Sequence, residues 1–202
     1  MSRAGRGAAA SAPQQVRIIG GQWRRSLLQV ASGEGLRPTP DRVRETLFNW
    51  LGHLFDGQWE GRDVLDLFAG SGALGFEAAS RGARSVTLVE NFPPALRCLE
   101  QARDKLHAGQ VQIRRADARQ YLRQLAPASL DLIFLDPPYA LDLLPTLLPA
   151  CRPLLKEQAL VYAESDRPFP AAGQDWLQGW EMLRNDKAAA VYYSLLRCTK
   201  VA

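Results

Sequence analysis

Five short apolar runs of strand type, Asp63–Phe68, Ser85–Glu90, Val111–Arg114, Asp131–Asp136 and Ala159–Glu164, recur along the chain with helix-patterned stretches between them. Those stretches, near 73–81, 93–107, 117–125 and 141–156, suit helical crossovers between parallel neighbours. The alternation predicts a parallel sheet with helices on both faces. Two further strand-type runs, Trp180–Arg184 and Ala190–Arg197, flank Asn185-Asp186-Lys187 and predict an antiparallel hairpin at the sheet's edge. The expected architecture is α/β, a seven-stranded, mostly parallel sheet.

The strand ends carry the chemistry. Asp131 to Tyr139 reads D-L-I-F-L-D-P-P-Y, and Pro137 and Pro138 have no N–H to extend a ladder. Asp136 is thus placed at a strand's carboxyl end, where open α/β sheets hold their ligands. The Pro137 carbonyl and the Asp136 carboxylate are two acceptors beside the flat Tyr139 ring. They suit a planar group bearing an NH₂, such as the exocyclic amine of a nucleobase. Accepting both N–H bonds localises the nitrogen lone pair while Tyr139 stacks on the ring. A Pro-rich turn with a solvated Asp is the bland alternative.

A second constellation precedes it. Asp63 to Gly72 reads D-V-L-D-L-F-A-G-S-G, a strand entering a glycine turn before a helix from Ala73. Gly70 and Gly72 permit a tight turn and close ligand approach, with Asp66 near the strand's end and Gly75 completing an approximate G-x-G-x-x-G. Glu90 ends the next strand, a position from which an acid holds ribose hydroxyls, and Asp117 follows the third, where it can accept from an adenine amine. Each alone is commonly a solvated acid. Together, four successive strands end in acids. The loop lacks the Gly-Lys-Ser/Thr ending of a P-loop, and a row of acids repels pyrophosphate, so a cationic cofactor fits better.

Charge is uneven. Eight arginines against three acids give residues 1–50 a net +5, whereas the remaining 152 residues, with 17 basic and 18 acidic groups, carry −1. Such a segment suits nucleic-acid contact, although a merely solvated basic face has the same composition. Met1 to Gln15 is Gly/Ala/Ser-rich and acid-free, and is expected to be a disordered tail without the apolar core of a secretory signal. Val16 to Val30 predicts two short strands around Gly20-Gly21, a small separate β element displaying arginines. Thr39-Pro40-Asp41 predicts a helix start with Thr39 as N-cap, followed by the apolar stripe Val43, Leu47, Trp50, Leu51 and Leu54. Arg42 and Arg44 flank that stripe and are expected to face outward or to pair with Asp41 or Glu45.

At 202 residues, 47% hydrophobic, the chain suits one domain with a small appendage. No apolar run approaches the ~20 residues of a spanning helix. Three widely spaced cysteines (Cys98, Cys151, Cys198) without a CxxC pair, and only two histidines, suggest neither a disulfide framework nor a metal site, and favour a reducing cytoplasm.

The D-x-F-x-G-x-G loop at 66–72 and the D-P-P-Y turn at 136–139 resemble those of class I S-adenosylmethionine-dependent methyltransferases. With R-I-I-G-G-Q-W-R at 17–24, L-R-P-T-x-D-R-V-R-E-T-L-F-N-W-L at 36–51 and D-L-F-A-G-S-G-A-L-G at 66–75, the chain resembles the RsmD family from about Val16 to Arg197. That resemblance implies a Rossmann-like fold and methylation of guanine N2 in 16S ribosomal RNA by S-adenosylmethionine, without a metal. It implies a monomer acting on a small-subunit assembly particle, with no membrane involved. Asp136, Pro137, Pro138 and Tyr139 would be catalytic. Asp66, Phe68, Ala69, Gly70, Ser71, Gly72, Glu90, Asp117, Ala118 and Asp136 would bind cofactor. Arg17, Arg24, Arg25, Arg37, Arg42 and Arg44 would grip RNA. One departure is that family members often carry G-R-K-L after the Trp-Arg, where this chain has Arg25-Ser26-Leu27-Leu28. The organisation implied is a tail (1–15), a basic hairpin and helix (16–56) and a methyltransferase domain (57–202). The rivals are an amino-methyltransferase acting on adenine N6 or cytosine N4 of DNA or another RNA, a non-catalytic RNA-binding or assembly factor on the same fold, and a nicotinamide-dependent oxidoreductase. The last explains Gly70, Gly72 and Glu90 but leaves Asp136 to Tyr139 idle.

Overall fold

The computed structural model describes residues 15–31, 39–169 and 175–199. Its central sheet comprises β3 (Asp63–Asp66), β4 (Ser85–Glu90), β5 (Val111–Arg115), β6 (Leu130–Leu135), β7 (Leu155–Ser165), β8 (Trp180–Ala188) and β9 (Val191–Cys198). The spatial order is β5-β4-β3-β6-β7-β9-β8, with β3 to β7 parallel and β9 antiparallel to both its neighbours. From β3 the order runs to β4 and β5 on one side and to β6 and β7 on the other. The reversal leaves a crevice at the carboxyl ends of β3 and β6, the usual ligand position in such sheets.

Period-two alternation divides the core into two layers. Val64, Leu132, Phe134, Leu160 and Tyr162 pack with Val43, Leu47, Phe48 and Leu51 of α1 (Asp41–Leu54) and Leu99 of α3 (Pro93–Leu106). Leu65, Ile133, Leu135, Val161 and Ala163 face the other way, toward α4 (Ala118–Leu122) and α5 (Leu144–Cys151). β6 is buried throughout, as expected of a central strand covered on both faces.

Gln15, expected at the end of the tail, opens β1 (Gln15–Arg17), which pairs with β2 (Leu27–Gln29); residues 1–14 lie outside the described residues. Gly20-Gly21 does not form a tight hairpin turn but sits within a longer loop docked on α2 (Ala73–Ser80). The buried Glu77 carboxylate accepts the N–H of Ile19 at 2.6 Å and of Gly20 at 2.8 Å. Ser80 Oγ donates to the Gly20 carbonyl at 2.6 Å and accepts the Trp23 N–H at 2.9 Å. A Cβ on Gly21, whose φ is +73°, would lie 1.9 Å from the Ser80 carbonyl oxygen. Ile18 and Leu28 belong to the same buried cluster as α1, so the hairpin shares the core of the main body.

The last hairpin also departs from expectation. Asn185, Asp186 and Lys187 pair with Ser194, Tyr193 and Tyr192 inside the ladder, and the chain turns instead at Ala189 and Ala190. Cross-strand bonds from Tyr193 Oη to Asp186 and from Ser194 Oγ to Asn185 explain why turn-type residues are tolerated in a strand.

Candidate active site

Asp66, at the end of β3, has Oδ2 accepting the Gly75 N–H at 3.0 Å. Gly75 leaves room there for Leu88, whose Cδ2 would lie 2.1 Å from an added Cβ. Burial, with a smaller contribution from the charge of Glu90, pushes the Asp66 carboxyl up to about 7, against the Gly75 hydrogen bond. Glu90 ties the glycine loop to β4: Oε2 accepts the Gly70 N–H at 2.8 Å, and Oε1 accepts Asn91 and Phe92 at 2.8 and 2.9 Å. Asp117 caps α4, with Oδ1 accepting the N–H groups of Arg119 and Gln120 at 3.0 and 3.1 Å. Its Oδ2 has no hydrogen-bond partner among the described residues.

Across the crevice, the Pro138 carbonyl accepts the Leu141 N–H at 3.0 Å, while no described N–H donates to the Pro137 carbonyl. Asp136 has a carboxyl held well above the usual range by burial first, then by the charges of Glu164 and Asp66. Tyr139 opens a short 3-10 turn (Tyr139–Leu141), and burial and the neighbouring Asp136 and Glu164 charges raise its phenol well above its usual value.

A cavity of about 700 Å³ joins these pieces. Asp66, Phe68, Ala69, Gly70, Ser71, Glu90, Asp117 and Ala118 line it, as do Asp136, Pro137, Pro138 and Tyr139. Gly72 does not. Its φ of +76° and the space its absent Cβ leaves to Phe76 and Leu99 show that it serves the loop-to-helix turn. Among the described residues, no group of three or more His, Cys, Asp or Glu is arranged to hold a metal, and no helix is long and apolar enough to cross a membrane.

Of the arginines singled out, Arg17, Arg24, Arg25 and Arg42 are exposed, and none forms an ion pair among the described residues. Arg37 lies outside the described residues. Arg44 does not face outward. Its side chain is fully buried, one of the buried residues of α1 with Val43, Leu47, Phe48 and Leu51, and Nη2 donates to Asp41 at 2.7 Å. Spacing places position 44 within the buried sector of the helix, so solvation gives way to packing.

Two residues of the site were not anticipated. Thr39 is not the N-cap of α1; Pro40 holds that position, with no side-chain cap bond. The Thr39 hydroxyl instead lies 3.0 Å from Glu164 Oε1 and 3.4 Å from Asp136 Oδ2. Glu164, near the end of β7, is buried and also accepts from Tyr162 Oη at 2.9 Å and Tyr139 Oη at 3.4 Å. Its signal was legible: a fifth parallel strand also ends in an acid. Thr39 gave none, because its partners lie 97 and 125 positions away.

The strand order and the acids gathered at its reversal define the class I S-adenosylmethionine-dependent methyltransferase fold. The family described as Conserved hypothetical protein 95 matches residues 16–197, and the chain belongs to this family, the RsmD family. Ribosomal RNA small subunit methyltransferase D of Escherichia coli (strain K12) is 39% identical over 183 residues, covering 88% of this chain and 89% of that protein. Its namesake from Haemophilus influenzae is 36% identical over 190 residues, covering 92% and 95%. The solved structure of Escherichia coli yhhF has a TM-score of 0.76 at 37% identity, covering 92% of this chain and 99% of that one.

Proposed function

We propose that this protein transfers a methyl group from S-adenosylmethionine to the N2 amine of a specific guanine in bacterial 16S ribosomal RNA. The observation that carries the reading is one cavity with two chemically different ends. One is the glycine loop with Glu90 and Asp117; the other is the Asp136 carboxylate, the unused Pro137 carbonyl and the Tyr139 ring. The names of the relatives support ribosomal RNA as the substrate.

The residues fit a cationic adenosyl cofactor. Glu90 and Asp117, with the buried carboxyls of Asp66 and Asp136 that a cation would draw into their ionised forms, surround an apolar lining of Leu67, Phe68, Leu74 and Val89. Glu90 would hold the ribose and Asp117 the adenine amine, with Phe68 to Ser71 beneath. Bound there, the cofactor supplies a methyl group on a sulfonium, already activated for direct displacement, so the transfer needs no metal. Asp136 and the Pro137 carbonyl accept the two N–H bonds of guanine N2 and aim its lone pair, while Tyr139 stacks on a base turned out of its RNA context. Residues 16–56 act as the RNA-binding extension, with Arg17, Arg24, Arg25 and Arg42 on phosphates. The enzyme works as a cytoplasmic monomer on a small-subunit assembly particle.

The test is to incubate the enzyme and labelled S-adenosylmethionine with naked 16S RNA, an assembly intermediate and the complete small subunit, then map the label. A single N2-methylated guanine is expected, most efficiently in the intermediate. Label on adenine N6 or cytosine N4, or transfer to DNA in preference to RNA, would overturn the reading.

A further inference from the structure

Glu164 is a buried carboxylate, 2% exposed, with no Lys, Arg or His paired to it among the described residues. Hydroxyls surround it instead: Tyr162 and Thr39 on Oε1, at 2.9 and 3.0 Å, and Tyr139 on Oε2, at 3.4 Å. The titratable groups facing it are Asp136 and Tyr139 beyond β6, Tyr162 on β7 itself and Asp66 on β3. Its register partner Tyr193 gives its hydroxyl to Asp186. Burying a charge among other acids without a cation is costly, and packing alone would be served as well by an apolar side chain. A structural role therefore does not account for a carboxylate here.

We propose that Glu164 is a positioning residue for methyl transfer, fixing the Asp136 carboxylate and the Tyr139 ring relative to each other through the hydroxyls of Thr39 and Tyr139. This rests on the function proposed above. The single Thr39 proton serves two acceptors. When Asp136 holds the proton, it donates to Thr39 Oγ1, which donates onward to Glu164; when Asp136 is ionised and Glu164 holds the proton, Glu164 donates to Thr39 Oγ1, which donates onward to Asp136. Either way the Asp136 carboxyl keeps one orientation, ready for the two-acceptor grip on the amine. The tether from Tyr139 Oη to Glu164 sets the plane on which the base stacks. Sub-ångström errors in such an arrangement fall directly on the rate.

The experiment compares Glu164→Gln, Thr39→Val and Tyr139→Phe with the unmodified enzyme, measuring kcat, the KM for RNA, cofactor affinity and the pH dependence of kcat/KM. Glu164→Gln should lower kcat by about 10²-fold, with cofactor affinity changed by less than about threefold. The acid limb of kcat/KM should move in opposite directions in two variants. Removing the Glu164 charge relieves the repulsion on Asp136 and shifts the limb to lower pH. Removing the Thr39 hydroxyl takes a donor from Asp136 and shifts it to higher pH. A residue needed only for packing moves neither. Wild-type kcat with an unshifted limb in Glu164→Gln overturns the proposal. Should that variant fail to fold, unshifted limbs and wild-type kcat in Thr39→Val and Tyr139→Phe overturn it equally. Asp136→Ala is run in parallel: full turnover there sinks the assignment of Asp136 to the amine, loss of turnover there with a normal Glu164→Gln sinks only the role of Glu164, and label on a base other than guanine sinks the proposed function itself.

Discussion

Glu77 on α2 accepts the Ile19 backbone N–H at 2.6 Å across 58 positions of sequence. With the Gly20 N–H on its other oxygen and Arg81 at 2.8 Å, this buried carboxylate holds the basic hairpin against the helix that leads out of the glycine loop. The R-I-I-G-G-Q-W-R segment thus owes its central residues to docking and its flanking arginines to the surface.

Glu77→Ala should free the hairpin. Removing the acceptor leaves Arg81 and two backbone donors unpaired, costing about 3 kcal/mol of stability. Urea denaturation measures that loss. RNA affinity should fall with it, while S-adenosylmethionine affinity, set beyond the other end of α2, should hold.

Asp136→Ala removes one of the two acceptors offered to the amine. Turnover should drop at least about 10³-fold, with cofactor binding nearly intact. Single-turnover kinetics and calorimetry on the same preparation would separate the two effects.

The pH dependence follows from Asp66, whose carboxyl is held up at about 7 chiefly by burial. The folded form keeps this proton where the unfolded chain has lost it. Its stabilising contribution is therefore fully present below the ordinary carboxylate range and disappears as pH rises through 7. Without ligand, the enzyme should melt lower at pH 8 than at pH 5 from this group, and Asp66→Asn, which keeps an acceptor for Gly75, should flatten the difference. A cationic cofactor favours the ionised acid, so its affinity should rise over the same interval, and titration calorimetry in buffers of different ionisation enthalpy should register proton release.

Arg42 and Arg44 read alike in the sequence and should behave oppositely. Arg42→Ala should weaken RNA binding and reduce the slope of log affinity against log salt by about 0.7 to 0.9, the loss of one phosphate contact. Arg44 has Nε and Nη1 buried without hydrogen-bond partners. Arg44→Met keeps the packed stem and removes that charge, so RNA affinity should be unchanged and the melting temperature equal or higher. A salt titration and a thermal melt on both variants decide it.

Much of this was written locally. A short apolar run such as Val64 to Leu67 or Leu132 to Leu135 is a property of consecutive residues, which is why those strands and their terminal acids could be placed from sequence. Turn-type residues misled at Asn185 to Lys187 because their cross-strand partners compensate, and Thr39 misled because its cap geometry yields to distant acceptors.

The sequence by itself determined the alternating elements, the acids at the carboxyl ends of four successive strands, and the Asp-Pro-Pro-Tyr turn that cannot continue a ladder. Only the tertiary structure decided which of these groups share a cavity, that Gly72 serves the chain turn, that Arg44 is inside, and that Glu164 and Thr39 stand behind Asp136. Periodicity and backbone chemistry act between neighbours, whereas burial, charge repulsion and shared protons depend on distances that exist only once the sheet has brought residues 39, 66, 136 and 164 together.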